Sequence, residues 1–434
     1  MRQSGKIEIR EVSLLGGFCF FLSALEYMVP KPLPFIRLGL ANIPLLLALD
    51  ILPFSAFMLL GALKIAGQAL ISGTLFSYVF LFSLGGTGVS AIFMYALRRG
   101  LGKDRMSLIG ISAAGALASN GVQLVLAYFF VFGKSIIYAA APILALGLVT
   151  GTLLGIAAEY FVRRSQWYSA ANSGFANRGF DAPLKENIHV VSGEAVNRKD
   201  SAPAKFFRQF RERRENFCLE TFGSGDLAVA GLAMAPALLL NPDTSTRVIQ
   251  FLFFWALAWL SGRKNNPIIT IPVMLGIVAF NLLVPYGEVL FTIGSFNITS
   301  GALWGGIRRA VTLEGLFMLS RCCVRRDLSL PGSFGELVGD SFRIFSRLSE
   351  EKQLFNRKNW ARRLDELLVS LDNKSAEAAA GAEKNKGPEK TGLKPVPSRP
   401  SGWTHGQKTK GPRIILVAVL ILAWLPLLPA LLTI

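Results

Sequence analysis

Pro34-Phe35-Ile36-Arg37-Leu38-Gly39-Leu40-Ala41-Asn42-Ile43-Pro44, running on into Leu45–Asp50, is an otherwise apolar segment that carries a cation, a glycine, a carboxamide and a proline within a few residues. At membrane depth such groups are costly and face protein or a water-filled cavity. A plain hydrophobic anchor would be Leu, Val and Ile throughout. A segment that breaks its own helix and brings polar groups into apolar surroundings is the usual raw material of a substrate site.

Composition supplies the surroundings. Of 434 residues, 52% are hydrophobic and only 17% charged, against roughly 25% charged in soluble domains. Mean hydropathy is +0.44. These values describe a polytopic membrane protein. The net charge of +18 does not mark a nucleic-acid binder, because Lys and Arg fall in short runs at the ends of apolar segments, as positive-inside loops do. Cys19, Cys218, Cys322 and Cys323 lack ligand spacing, and His189 and His405 lie outside the apolar segments. Neither a metal site nor a disulfide framework is expected, and no cofactor is called for.

The first half offers about six apolar segments, Val12–Val29, Leu38–Leu49, Phe54–Ser72, Phe76–Leu97, Met106–Val131 and Ile136–Val162, most of them of bilayer-crossing length. With the N-terminus inside, the clusters Arg2/Lys6/Arg10, Arg98/Arg99/Lys103/Arg105 and Arg163/Arg164 all fall on the cytoplasmic side. Lys31, Arg37 and Lys134 fall outside. The arrangement is self-consistent.

Several positions inside these segments are not what lipid would select. Gly147, Gly151 and Gly155 form a GxxxGxxxG face suited to close helix packing. Gly85-Gly86-Thr87-Gly88 lacks the Lys and Ser/Thr of a phosphate loop and reads as packing or a kink. Lys64 and Gln68, four apart, share a helix face, as do Asn120 and Gln123, three apart. Two readings stand for these groups, hydrogen bonding between helices or a lined cavity. An intramembrane Lys needs a partner, and Glu26 and Asp50 are the candidates.

Beyond Arg163 the composition turns polar. Residues 163–225 read as a cytoplasmic linker, with Lys205–Glu215 either an amphipathic helix on anionic headgroups or a solvated helix. A second membrane portion, 226–324, contains Leu227–Leu240, Val248–Leu260, Pro267–Val284 and Leu303–Leu319, the last interrupted by Arg308 and Arg309. Residues 325–372 carry Phe342, Ile344, Phe345 and Leu348 at helical spacing and are expected to form a cytoplasmic helical layer. Residues 373–412 read as a disordered tether, and 413–434 as a final span containing Pro426 and Pro429. The chain has no Asp-rich diphosphate pair, P-loop, HExxH, GxSxG or CxxC, and reads as not an enzyme.

Arg37-Leu38-Gly39-Leu40-Ala41-Asn42-Ile43, Phe82-Ser83-Leu84-Gly85-Gly86, Ser119-Asn120-Gly121-Val122-Gln123 and Gly147-Leu148-Val149-Thr150-Gly151 together resemble the Gx transporter family, also named heptaprenyl diphosphate synthase component I. The resemblance covers roughly residues 10–162 and departs at Ser119, where His is expected. It implies a six-helix bundle like the substrate-binding S component of energy-coupling-factor (ECF) vitamin importers. Gly287-Glu288-Val289-Leu290-Phe291 and Ile298-Thr299-Ser300-Gly301-Ala302-Leu303 are similar, more weakly, to the transmembrane T component. In place of that component's Ala-Arg-Gly or Ala-Arg-Ser motifs stands Trp360-Ala361-Arg362-Arg363.

The expectation is therefore an all-α, multi-pass protein of the cell membrane. An S-component-like domain (1–162) is joined to a T-component-like half (226–324) and a C-terminal helix (413–434). Its expected function is transport of a small molecule; the alternative is a non-catalytic membrane subunit of a polyprenyl (heptaprenyl) diphosphate synthase or of a flavin/quinone electron-transfer assembly. Separate ATPase subunits or a prenyl synthase are the implied partners. Arg37, Asn42, Lys64, Asn120 and Gln123, with Gln68 beside Lys64, are expected to converge on one substrate cavity.

Overall fold

The computed structural model describes residues 2–28, 39–102, 105–172, 213–218, 220–263, 267–294, 296–325, 328, 332–350, 361–372 and 410–427. Arg37 and Lys31, most of the 163–225 linker, Trp360, and the tether from 373 to 409 lie outside the described residues.

The described residues are all-α apart from one hairpin. The first half comprises α1 (Arg2–Met28), α2 (Ile43–Ala48), α3 (Phe54–Ser72), α4 (Tyr78–Leu101), α5 (Leu108–Ala127) and α6 (Ile136–Val162), followed by the short α7 (Gln166–Asn172). The second contains α8 (Ser224–Leu239), α9 (Thr244–Leu260), α10 (Pro267–Leu282), the strands β1 (Val289–Ile293) and β2 (Phe296–Thr299), and α11 (Ser300–Cys323). After them come α12 (Gly332–Glu350), α13 (residues 361–372) and α14 (Lys410–Trp424). The strands pair antiparallel, Ile293 opposite Phe296 and Val289 opposite Thr299, with an irregularity between Val289 and Phe291.

Local sequence explains the boundaries. α3 starts after Pro53 and ends at Gly73, whose φ of 64° is open to glycine at little cost and stops the helix. Ser107 caps α5 by accepting from the Gly110 N–H, and Asp243 caps α9 by accepting from the Thr246 N–H at 2.8 Å. Between α5 and α6 a π turn (Tyr128–Phe132) and a 3-10 turn (Gly133–Ser135) reverse the chain.

Among the described residues, three stretches are long and apolar enough to cross a membrane: Phe54–Ser72, Tyr78–Leu101, and Leu108–Val162, which contains both α5 and α6. Ser224–Leu239, Pro267–Leu282 and Arg413–Leu427 are shorter apolar helices. Their outward faces are apolar as well. Leu148, Val149, Leu153 and Ile156 on α6, and Ile268, Ile269, Ile271 and Leu275 on α10, are all exposed. Water would not tolerate such belts on a stable monomer, whereas lipid selects them.

Among the described residues, two hydrophobic cores hold the elements together, and each joins distant parts of the chain. One combines α1, α2 and α3 with Leu337, Val338 and Leu348 of α12 and Leu364, Leu368 and Leu371 of α13. The other combines Tyr78, Phe82, Val131, Phe132 and Ile136 of the first half with Met234, Phe251, Phe254, Ile277 and Leu316 of the second. The α12 face that meets α1 carries the helically spaced aromatic residues. Phe342 lies 4.8 Å from Phe20 between ring centroids, and Ser341 Oγ donates to Ser13 O at 3.2 Å. Gly16 and Gly17 leave the necessary room, since a Cβ at Gly17 would stand 2.6 Å from Ile344 Cγ2.

Candidate functional site

The opening segment is a broken helix. Gly39 adopts φ 79°, so the chain turns there, and a 3-10 turn, Leu40–Asn42, leads into α2, only six residues long with Pro44 in its first turn. Six residues rise about 9 Å, far short of a bilayer. The turn is tied to α1 by Cys19 Sγ, which donates to Ala41 O at 3.6 Å.

This turn closes one side of a cavity of about 50 Å³, lined among others by Glu26, Asn42, Lys64, Gln68, Asn120 and Gln123. The remaining walls are polar too, with Ser83, Thr87 and Ser90 of α4, Ser112 and Ser119 of α5, and Thr150 of α6. Lys64 is buried; its ammonium donates to Asn42 Oδ1 and to Thr87 Oγ1 at 3.3 Å. Glu26, also buried, shares the cavity with it. Asp50, the other candidate partner, is not on the cavity wall. It belongs to a cluster of its own, described below.

The amides are held by neighbours. Ser83 Oγ donates to Gln68 Oε1 at 3.0 Å, Gln123 Nε2 to Ser119 Oγ at 3.1 Å, and Asn120 Nδ2 to Ile143 O at 3.0 Å. Small residues make these poses possible. A Cβ on Gly147 would lie 1.9 Å from Asn120 Nδ2, and one on Gly86 would lie 2.8 Å from both Gln123 Nε2 and Ser119 Oγ. Gly151 and Gly155 continue the Gly147 face down α6, each in contact with the α5 backbone, and Ser112 Oγ donates to Gly151 O at 2.7 Å. Gly85 to Gly88 lie within unbroken α4; Gly85 and Gly86 serve packing against α5, while Gly88 faces open space.

Sequence reading overlooked the α4 wall. Ser83, Thr87 and Ser90, spaced by four and three, form a polar stripe in an apolar helix, the same signal that drew attention to Lys64 and Gln68. A second polar cluster had no local signal. Arg98 donates to Asp50 through Nε at 2.9 Å and Nη2 at 2.7 Å, and Tyr168 OH donates to Asp50 Oδ2 at 3.0 Å. Asp365 of α13 accepts from the backbone N–H groups of Gln166 and Trp167 and from Ser165 Oγ, so a residue some 200 positions away caps α7. Arg10 pairs with Asp372 at 2.7 Å.

The geometry defines an all-α membrane protein with a polar cavity in its first helical bundle. Residues 15–161 match the heptaprenyl diphosphate synthase component I family, the one its motifs resemble. Residues 227–326 match a domain of unknown function (DUF8519). Comparison with curated proteins and with solved structures finds no match.

Proposed function

We propose that the chain is a multi-pass protein of the cell membrane that binds a small polar molecule in this cavity and takes part in moving it across the bilayer. Residues 1–162 then act as an ECF-type, S-component-like binding domain and 226–324 as a T-component-like half. Residues 325–372 form a cytoplasmic layer joined by a tether to the C-terminal helix. The Lys and Arg distribution places α12, α13 and the Asp50 cluster inside, and the Gly39–Asn42 turn toward the outside. The carrying observation is the cavity wall: carboxamides and hydroxyls surround one buried Lys and one buried Glu. That set matches a polar ligand of no net charge, or a zwitterion.

At about 50 Å³ the cavity holds a few waters, against roughly 300–1,000 Å³ for a drug-sized ligand. Entry of anything larger requires the Gly39–Asn42 turn and α2 to move. The alternative occupies the same scaffold differently. As a non-catalytic subunit, the chain would present the exposed faces of α12 and α13 to a prenyl synthase or a redox partner, and the matched family's name favours the synthase. Mass spectrometry of small molecules retained by the purified full chain, with identification of co-purifying proteins, tests both. Retained ligand lost in Asn42→Leu supports transport. A stoichiometric prenyl synthase with no retained small molecule overturns it.

A further inference from the structure

The β1–β2 hairpin joins α10 to α11 and carries apolar side chains that no described part of the protein covers. Between Lys264 and Arg308 the chain has a single charge, Glu288. On β1, Val289, Leu290 and Phe291 are 55%, 52% and 52% exposed. A strand seated on one face buries every other residue. Here three in succession stand open, with the irregularity in strand pairing falling among them, so neither face of β1 rests on described protein. A lone two-stranded hairpin is marginal in water, and a contiguous apolar patch of this kind marks an interaction surface.

The hairpin is held firmly at its base. The Tyr286 N–H donates to Thr299 Oγ1 at 3.0 Å, and the Ser300 N–H donates to Glu288 O at 2.8 Å. The Tyr286 ring lies on α11, where a Cβ on Gly301 would stand 2.7 Å from its Cδ2 and one on Gly305 would stand 2.0 Å from its hydroxyl. Its depth follows from α11. Trp304, exposed in the second turn, stands about 26 Å along the helix axis from Arg321 in the last turn, close to the roughly 30 Å of a hydrocarbon core. Tyr286 is exposed on the neighbouring turn, and both residue types favour the headgroup boundary. The apolar belt of α10 leads to the same level: Ile271, Leu275 and Ala279 are exposed in successive turns, and the chain then enters the hairpin.

We propose that the β1–β2 hairpin is a lipid-interface anchor, its Val289, Leu290 and Phe291 side chains entering the acyl chains of the leaflet farther from Arg321 while Tyr286 and Trp304 stay among the headgroups. The occupant is lipid because the patch continues the lipid-facing belt of α10 and because both faces of β1 are open. A second copy of the chain would cover one face of a two-stranded ribbon and leave the other in water, whereas acyl chains reach both. The open strand edges keep the insertion shallow, since unpaired backbone groups do not enter the hydrocarbon centre. With no Lys or Arg between 265 and 307, the contact does not call for anionic headgroups. The hairpin thereby sets the depth of α10 and α11. The inference rests on the membrane reading of the fold, not on transport or on which side of the membrane this end occupies.

Site-specific photocrosslinking of the full chain tests it, with p-benzoylphenylalanine placed singly at Val289, Leu290 and Phe291, at Leu275 as the lipid-belt control and at Arg343, on the exposed side of α12, as the water control. At Phe291 one aromatic ring replaces another, so the fold is kept there whatever the other positions do. In phosphatidylcholine vesicles the intact mass is expected to rise by one lipid at all three hairpin positions, with yields like that at Leu275 and about tenfold above that at Arg343, the partition that burial of one large apolar side chain supports. Adding phosphatidylglycerol should change nothing. Crosslinked dimers assign the patch to a second copy, and adducts to another polypeptide on illumination of native membranes assign it to a protein partner; either overturns the proposal. A lipid adduct that requires phosphatidylglycerol overturns it too. Yields at the Arg343 level beside a normal Leu275 adduct overturn the anchor and leave the membrane reading standing, whereas loss of the Leu275 adduct overturns both.

Discussion

The Lys64 cavity and the Asp50 cluster sit in the same six-segment bundle and are made of the same kinds of groups, a buried cation, a buried carboxylate and hydroxyls. They differ in what is left over. Asp50 receives two bonds from Arg98 and one from Tyr168, while Arg98 Nη1 donates onward to Met106 O at 3.0 Å. The charges face each other in fixed, two-pronged geometry, and no cavity separates them. Around Lys64 the groups are arranged about a cavity, and the ammonium donates singly to Asn42 Oδ1 and to Thr87 Oγ1 at 3.3 Å. The first arrangement fixes structure, while the second surrounds the volume that the proposed ligand occupies. Burial of a charge is thus no guide to function. What separates the two regions is the cavity beside Lys64.

The sharpest way to break the contrast is to remove a charge from the closed cluster. Arg98 and Asp50 side chains are 9% and 6% exposed, so Arg98→Met leaves a nearly buried carboxylate without its cation. Loss of one partner of such a pair costs about 3–5 kcal/mol. Thermal unfolding of the purified full chain should shift down accordingly, and Asp50→Asn added to Arg98→Met should recover part of the loss. An unchanged unfolding temperature in Arg98→Met would remove the structural role assigned to the cluster.

Gly147→Ala joins the two kinds of effect. The new Cβ overlaps Asn120 Nδ2, so the amide must leave Ile143 O or α6 must draw away from α5. Overpacking of this kind costs about 1–3 kcal/mol. Retention of small molecules should fall along with stability, and Gly147→Ala combined with Asn120→Ala should restore stability but not retention. Full retention in Gly147→Ala would mean that Asn120 has no part in binding.

Asn42→Leu separates the regions most cleanly. It removes a carboxamide from the cavity turn and is expected to weaken ligand retention about tenfold or more, roughly 1.4 kcal/mol. The shift in unfolding temperature should be smaller than in Arg98→Met, because Lys64 keeps Thr87 and Glu26 around it. A large loss of stability with retained ligand would invert the comparison.

How much of this was legible in the sequence follows from the range of the interactions. The break at Gly39 and Pro44, the helical pairs Lys64/Gln68 and Asn120/Gln123, and the Gly147–Gly151–Gly155 face are local patterns, and local patterns show in a sequence. The Ser83–Thr87–Ser90 stripe was visible by the same rule, but hydroxyls in apolar helices usually satisfy themselves on backbone carbonyls, which masks their signal. The amphipathic spacing of Phe342, Phe345 and Leu348 revealed a helix but not its berth on α1, because the room that Gly16 and Gly17 leave for it is a long-range fit. Asp50, Arg98, Tyr168 and Asp365 could not be joined from sequence at all. The cap that Asp365 gives α7 is a long-range contact with no spacing rule behind it.

The finest test concerns the pH dependence of the closed cluster. Burial pushes the Tyr168 phenol well above its ordinary range, and the adjacent Asp50 carboxylate, which accepts its proton, adds to the effect. In the unfolded chain the same phenol ionises near about 10. Because the folded value is the higher one, Tyr168 contributes its full stability below about pH 10 and loses it as the pH rises further and the unfolded state alone releases the proton. Tyr168→Phe should therefore be less stable than wild type at neutral pH by about 1 kcal/mol, the net worth of one hydrogen bond. Above about pH 10 its unfolding temperature should fall less steeply, so that the two curves converge. Parallel alkaline limbs would show that the phenol is not held by Asp50 in the working protein, and with it would go the view that this end of the bundle is closed while the other is open.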